Sequence, residues 1–199
     1  NIKPFQNILL IAGVSATLLF SNGFAIASPE QTPATTASQK LGFDISTYTP
    51  DQSEWSEKMI GKYEKAKITD EQPLALLKID RLNLEAPIYH GTKRITLDRG
   101  LGYVEGTTLP GEVGNIALSG HRDSFFRALK DIKVGDTIEM RTLNGVEDFE
   151  VSDISIVDAL EVSVLDPTDT TVLTLITCHP FYYQGYAPDR YIVRATPLN

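Results

Sequence analysis

Residues 174–193 read TLITCHPFYYQGYAPDRYIV and contain the only cysteine of the 199-residue chain. Cys178 closes a run of strand-forming residues, TVLTLITC (171–178), and Pro180 then ends strand pairing. An aromatic loop follows, FYYQGYAPD, before a second strand signal opens at Arg190 with RYIVRAT. A free cysteine most often packs as a small hydrophobe. A cysteine at a strand end beside an aromatic loop, however, stands where a cleft wall forms. Two consecutive strands joined by a loop tend to pair, which brings Arg190 beside Cys178.

Working outward, the region from residue 73 onward is a series of short strand signals separated by turns. Strands are expected at 74–80, 85–91, 114–120, 136–142, 147–158, 171–178 and 190–196, with short helical pieces near 97–103 and 124–130. Asn144-Gly145 is a strong hairpin signal. Many short strands and few helices define a mainly β fold, a closed or nearly closed β-barrel. Upstream, SEWSEKMIGKYEKAK (53–67) spaces Trp55, Met59, Ile60 and Tyr63 for an amphipathic helix capped near Ser53. This helical segment spans 53–72. Residues 28–52 are rich in Pro, Thr, Ser and Gln without apolar period, as in a flexible linker. Residues 1–27 carry the thirteen-residue apolar run ILLIAGVSATLLF (8–20) and no charge after Lys3. They read as a membrane anchor or a signal segment ending near Ala27, and either directs export.

Composition excludes several classes. The net charge of −8 leaves no basic footprint for nucleic acid. A single cysteine excludes an internal disulfide and any cysteine cluster for zinc, so no metal is expected. Three histidines, His90, His121 and His179, are the candidate partners for a thiol nucleophile. His179 follows Cys178 directly, and strand alternation turns it to the opposite face. His90 ends a short strand and reads as a surface residue. His121 ends the strand signal GNIALSGH, which makes it the candidate general acid/base. Arg190 offers fixed donors for an oxyanion. Arg122, next to His121, falls on the other face by alternation and is expected to tolerate Lys.

Three stretches together, LSGHRDSFFRALKDIKVGD (118–136), TLITCHPF (174–181) and APDRYIVRA (187–195), resemble the sortase family, most closely its class D branch. The resemblance covers essentially 73–199, read here as the catalytic domain. It implies an eight-stranded β-barrel and transpeptidation at the cell surface. By this resemblance Cys178 attacks a threonine carbonyl in an LPxTG-like sorting signal, forming a thioacyl-enzyme. His121 protonates the leaving amine and then activates the incoming one, and Arg190 stabilises the oxyanion and orients substrate. Substrate contacts are expected from Thr177, Ser119, Tyr183 and Tyr186. The partners implied are an exported protein bearing the signal and an amine acceptor, either a cell-wall precursor or a pilin lysine. No cofactor is implied, and the membrane is reached through the N-terminal segment. The sequence departs from the family at His179, where relatives often carry an aromatic such as tyrosine. An exported cysteine peptidase or L,D-transpeptidase is the competing enzyme class. The latter family places His-Gly before its cysteine, whereas this chain has Ile176-Thr177. An anchored binding module with a buried thiol is the non-enzymatic alternative.

Overall fold

Alternation along the cysteine strand dictates its two faces. Leu173 and Leu175 are fully buried and join the main apolar cluster, with Ile116 and Leu118 of one neighbouring strand and Val193 and Ala195 of the other. The computed structural model describes residues 41–183 and 185–198. Eight strands run β1 (Ala75–Ile79), β2 (Leu84–His90), β3 (Leu101–Tyr103), β4 (Asn115–Ser119), β5 (Thr137–Thr142), β6 (Gly145–Asp158), β7 (Val172–His179) and β8 (Asp189–Pro197). They close into a barrel in the order β1-β2-β3-β4-β7-β8-β6-β5, with β5 returning to β1.

Two of the pairings are parallel, β2 with β3 and β4 with β7. β5 and β6 form an antiparallel hairpin that turns at Leu143-Asn144, with Gly145 as the first residue of β6. A register shift between Val151 and Asp153 bends β6 against β8 and keeps both of its halves on the barrel.

The helical piece expected at 97–103 divides. Helix α1 spans Glu57–Ala66, and helix α2 spans Arg94–Arg99 and ends at Gly100; residues 101–103 form β3. The strand is too short for its alternation to register in the sequence. Its pairing requires Gly102, where a Cβ would lie 2.4 Å from the Gly91 carbonyl oxygen. The second helical piece is a 3₁₀ helix over Phe125–Asp131. Helix α1 begins later than expected: Ser56, not Ser53, is the N-cap and accepts from the Met59 amide. Its apolar side buries Met59, Tyr63 and Ala66. Trp55 precedes the helix and packs edge-on against Phe125 and Tyr63, at 4.8 and 5.8 Å between ring centroids.

The linker expected over 28–52 does not extend through its second half. Leu41 and Phe43 are buried against Leu76, and the Tyr48 hydroxyl donates to the Glu85 carbonyl. Three large side chains in an otherwise polar stretch are enough to fasten it, although they show no period. Residues 1–27 and 28–40 lie outside the described residues. No helix among the described residues is long and apolar enough to cross a membrane.

At the end of β4 the chain turns at Gly120, where a Cβ would meet the Phe126 ring at 2.6 Å and Leu101 at 2.9 Å. Phe126 is fully buried and has no room to retreat. Gly120→Ala is therefore expected to lower stability by about 1–3 kcal/mol through overpacking. Thermal denaturation checks this; an unchanged midpoint would mean that the core yields at no cost.

Candidate active site

Strand register assembles the candidate residues. In the antiparallel β7–β8 pair, Cys178 lies directly opposite Arg190. In the parallel β4–β7 pair, Ser119 lies opposite Ile176, and the Gly120 amide extends the ladder by donating to the Ile176 carbonyl at 3.1 Å. His121 follows directly on Gly120, which is bonded to the cysteine strand through its amide to Ile176 and through its carbonyl to Thr177. Alternation turns Cys178 and Arg190 outward, because Leu175 and Thr177 of β7 and Val193 of β8 face the core. Cys178 is half-buried.

Thr177 fixes this arrangement from inside. It is 2% exposed, and its hydroxyl donates to the Gly120 carbonyl at 2.8 Å. Thr177 therefore ties the cysteine strand to the residue preceding His121 and presents no surface to a substrate in this state. Ser119 is half-buried on the outer face of β4. Tyr183 and Tyr186 are exposed on the β7–β8 loop, together with Tyr182. His90 is exposed. His179 faces the barrel mouth, stacked on Tyr191 at 6.1 Å and 22° and edge-on to Phe181. Its imidazole fills the place of an aromatic ring there, on the side opposite the thiol.

The Arg190 guanidinium donates from Nη1 to the Asp189 and Ala187 carbonyls, at 2.9 and 3.3 Å. These bonds orient the plane of the group. Its Nε and Nη2 donors make no hydrogen bond among the described residues. His121 is mostly buried, and burial holds its pKa below the ordinary 6.5; the nearby Asp123 and Asp98 carboxylates oppose the shift without cancelling it. The imidazole is accordingly neutral at pH 7, as a group that must accept a proton requires. Its Nε2 lies 3.4 Å from Asp98 Oδ1.

Three features of the site were not legible in the sequence. Asp98 lies 23 positions before His121 and carries no motif of its own. Leu160 and Val162, 82% and 69% exposed, follow β6 on the side where Ala159 hydrogen-bonds to the Pro188 carbonyl, next to Arg190. That loop is pinned to the barrel by Asn115, which donates to the Val164 and Asp166 carbonyls at 3.0 Å and accepts from Thr174. The third is Arg122, expected to be a bystander. It donates to the carbonyls of Pro180, Tyr183 and Gly185 at 2.8–3.1 Å. Arg127 adds a 2.7 Å bond to the Phe181 carbonyl and lies over the Tyr182 ring. The two arginines thus hold the backbone of the loop between Cys178 and Arg190.

A barrel of this topology, with cysteine, histidine and arginine presented from three adjacent strand ends, defines a class of thiol enzymes. The sortase-domain family model matches residues 77–198, and the chain belongs to the sortase family. It is 37% identical over 123 residues to sortase D of Bacillus subtilis (strain 168), a match covering 61% of this chain and 62% of that one. The chain thus spans less than two thirds of that relative's length. Among solved structures, the Clostridium perfringens sortase D5 transpeptidase superposes with a TM-score of 0.60 at 26% identity, over 83% of this chain and 99% of that chain. The catalytic domain of B. anthracis SrtD gives a TM-score of 0.56 at 36% identity, over 66% of this chain and 90% of that one.

Because Arg122 spans three carbonyls with a planar fork, an ammonium cannot replace it. Arg122→Lys is expected to cost about 1 kcal/mol, given its partial exposure, and to speed limited proteolysis of the β7–β8 loop several-fold. Unchanged cleavage of that loop would return Arg122 to the bystander role.

Proposed function

We propose that the protein is a cysteine transpeptidase that cleaves an LPxTG-like sorting signal and transfers the severed protein to an amine at the cell surface. The observation that carries this reading is the register that sets Cys178 opposite Arg190, with Gly120, the residue before His121, bonded to the cysteine strand. Cys178 Sγ attacks the scissile threonine carbonyl as neutral His121 accepts the thiol proton. Negative charge collects on the carbonyl oxygen, within reach of the free Nε and Nη2 donors of Arg190. The C–N bond breaks, and the His121 imidazolium delivers its proton to the leaving amine. This leaves a thioester on Cys178. An incoming amine gives its proton to His121 and displaces sulfur, forming the new amide and releasing the thiolate, which His121 reprotonates.

Substrate contacts are assigned to Ser119, Tyr183 and Tyr186, with Leu160 and Val162 supplying apolar surface across the cleft. Thr177 acts through Gly120 rather than by direct contact. The acceptor is a cell-wall precursor amine or a pilin lysine. The apolar run at 8–20 supports placement of the catalytic domain on the extracytoplasmic side of the membrane, by an anchor or after export. The His-Gly-Cys pattern of L,D-transpeptidases is missing, and the half-buried thiol opposite Arg190 favours an enzyme over a binding module.

Incubation with a sorting-signal peptide is expected to give a thioacyl adduct on Cys178, visible by mass spectrometry, and a new amide when an amine is supplied. Cys178→Ala should retain the fold and lose all cleavage; residual turnover at a tenth of wild type would remove Cys178 as nucleophile.

Arg190→Lys separates donor geometry from charge. Loss of an oriented oxyanion donor costs roughly 10²–10³-fold in turnover. The variant is expected to fold, still form some thioester and lose turnover on that scale, with little change in KM. Near-wild-type turnover would hand the oxyanion to backbone amides.

A further inference from the structure

Two buried polar atoms without hydrogen-bond partners, His121 Nε2 and Asp98 Oδ1, face each other at 3.4 Å. Buried polar groups are rarely left unpaired, and each such atom calls for an explanation. Asp98 belongs to α2, and its side chain is only 10% exposed. Lys62 of α1 reaches the same carboxylate, its Nζ 3.8 Å from Oδ1, and Arg94 Nε lies 3.8 Å from Oδ2. Helix α1 precedes the matched family domain at 77–198, so this charge chain connects a segment outside that domain to the candidate acid/base.

We infer that Asp98 is a positioning residue for His121, and that Lys62 brings α1 into the same charge relay, so that docking of this helix tunes the histidine. The inference rests on the reading of His121 as the acid/base partner of Cys178. With Nε2 turned to Asp98, Nδ1 is the ring nitrogen left for the thiol. When His121 accepts the thiol proton, the imidazolium closes a charge-assisted hydrogen bond to Asp98, and the carboxylate steadies the charge that forms. The charged and titratable groups facing the ring are Asp98 and Arg94 from α2, Lys62 from α1 and Asp123 from the turn after β4. Asp98 and Asp123 favour the protonated ring, whereas Lys62 and Arg94 oppose it. The resting ring remains neutral because burial, together with Lys62 and Arg94, outweighs the two carboxylates.

The signs give a test that packing alone would not reproduce. With only three histidines in the chain, ring resonances of the full-length protein can be assigned and titrated by NMR. Asp98→Asn keeps the shape and removes an anion, so the His121 midpoint should move to lower pH. Lys62→Met keeps much of the stem and removes a cation, so the midpoint should move to higher pH. The acid limb of kcat/KM for the sorting peptide should follow in each case. Asp98→Asn should also lower kcat about tenfold or more, with KM little changed, as when an orienting carboxylate is lost. Opposite shifts in the two variants support the inference; an unmoved midpoint in both, or shifts of the same sign, overturns it. Lys62→Met keeps the question open to test if Asp98→Asn fails to fold. A wild-type protein that cleaves no sorting peptide but shows the opposite shifts would sink the transpeptidase reading alone. A wild-type protein that cleaves normally, with unmoved midpoints, would sink this inference alone.

Discussion

The site depends on the parallel pairing of β4 with β7. Antiparallel neighbours can be joined by a short turn, but parallel strands need a long crossover, and here that crossover comprises β5, β6 and the loop after it. Only this pairing brings the strand that leads into His121 beside the strand that carries Cys178. Its register is secured at the core by Ile116 and Leu118 with Leu173 and Leu175, since a slip of one residue would turn every side chain to the wrong face. At the open end the Thr177 hydroxyl and the Gly120 carbonyl lock it again. A buried hydroxyl in an apolar interior needs its partner, so the lock resists slippage on both strands.

That constraint explains the electrostatics. Gly120 sits against Phe126 and Leu101, which draws the following residue down toward the barrel wall and buries much of His121. Burial keeps the imidazole neutral and ready to accept a proton. The same burial would make the protonated state costly, and the carboxylates of Asp98 and Asp123 offset part of that cost. A group that gains and loses a proton twice in each proposed cycle needs both influences, because a strongly favoured form in either direction would slow one of the transfers.

The β7–β8 loop follows a different logic. Its exposed tyrosines could not hold it by burial, so its backbone carbonyls are held by Arg122, Arg127 and Arg190 itself. Guanidinium groups suit this task because they span several acceptors at once. The loop on the other side of Arg190 is fastened by the buried amide of Asn115. Both loops beside Arg190 are therefore anchored through polar contacts with the backbone.

Much of this was legible in the chain. The apolar alternation of 171–178, the Asn144-Gly145 hairpin signal and the single cysteine determined a β-barrel with a strand-end thiol, because strand period and turn chemistry act over a few residues. Strand-end positions also picked out His121 and Arg190 as candidates, and alternation set His179 aside as one. Contacts across long separations were not legible. Strand β3 pairs with partners on both sides but is too short to show a period. Leu41 and Phe43 look like linker residues until Leu76 covers them. Asp98 resembles any surface acid until the barrel sets it 3.4 Å from His121. Arg122 was read by alternation alone, which gives a side chain's direction but not what the loop brings to meet it. Local periodicity thus determined the strands and the chemistry-bearing residues, while closure of the barrel decided which charges surround them, since that depends on neighbours far apart along the chain.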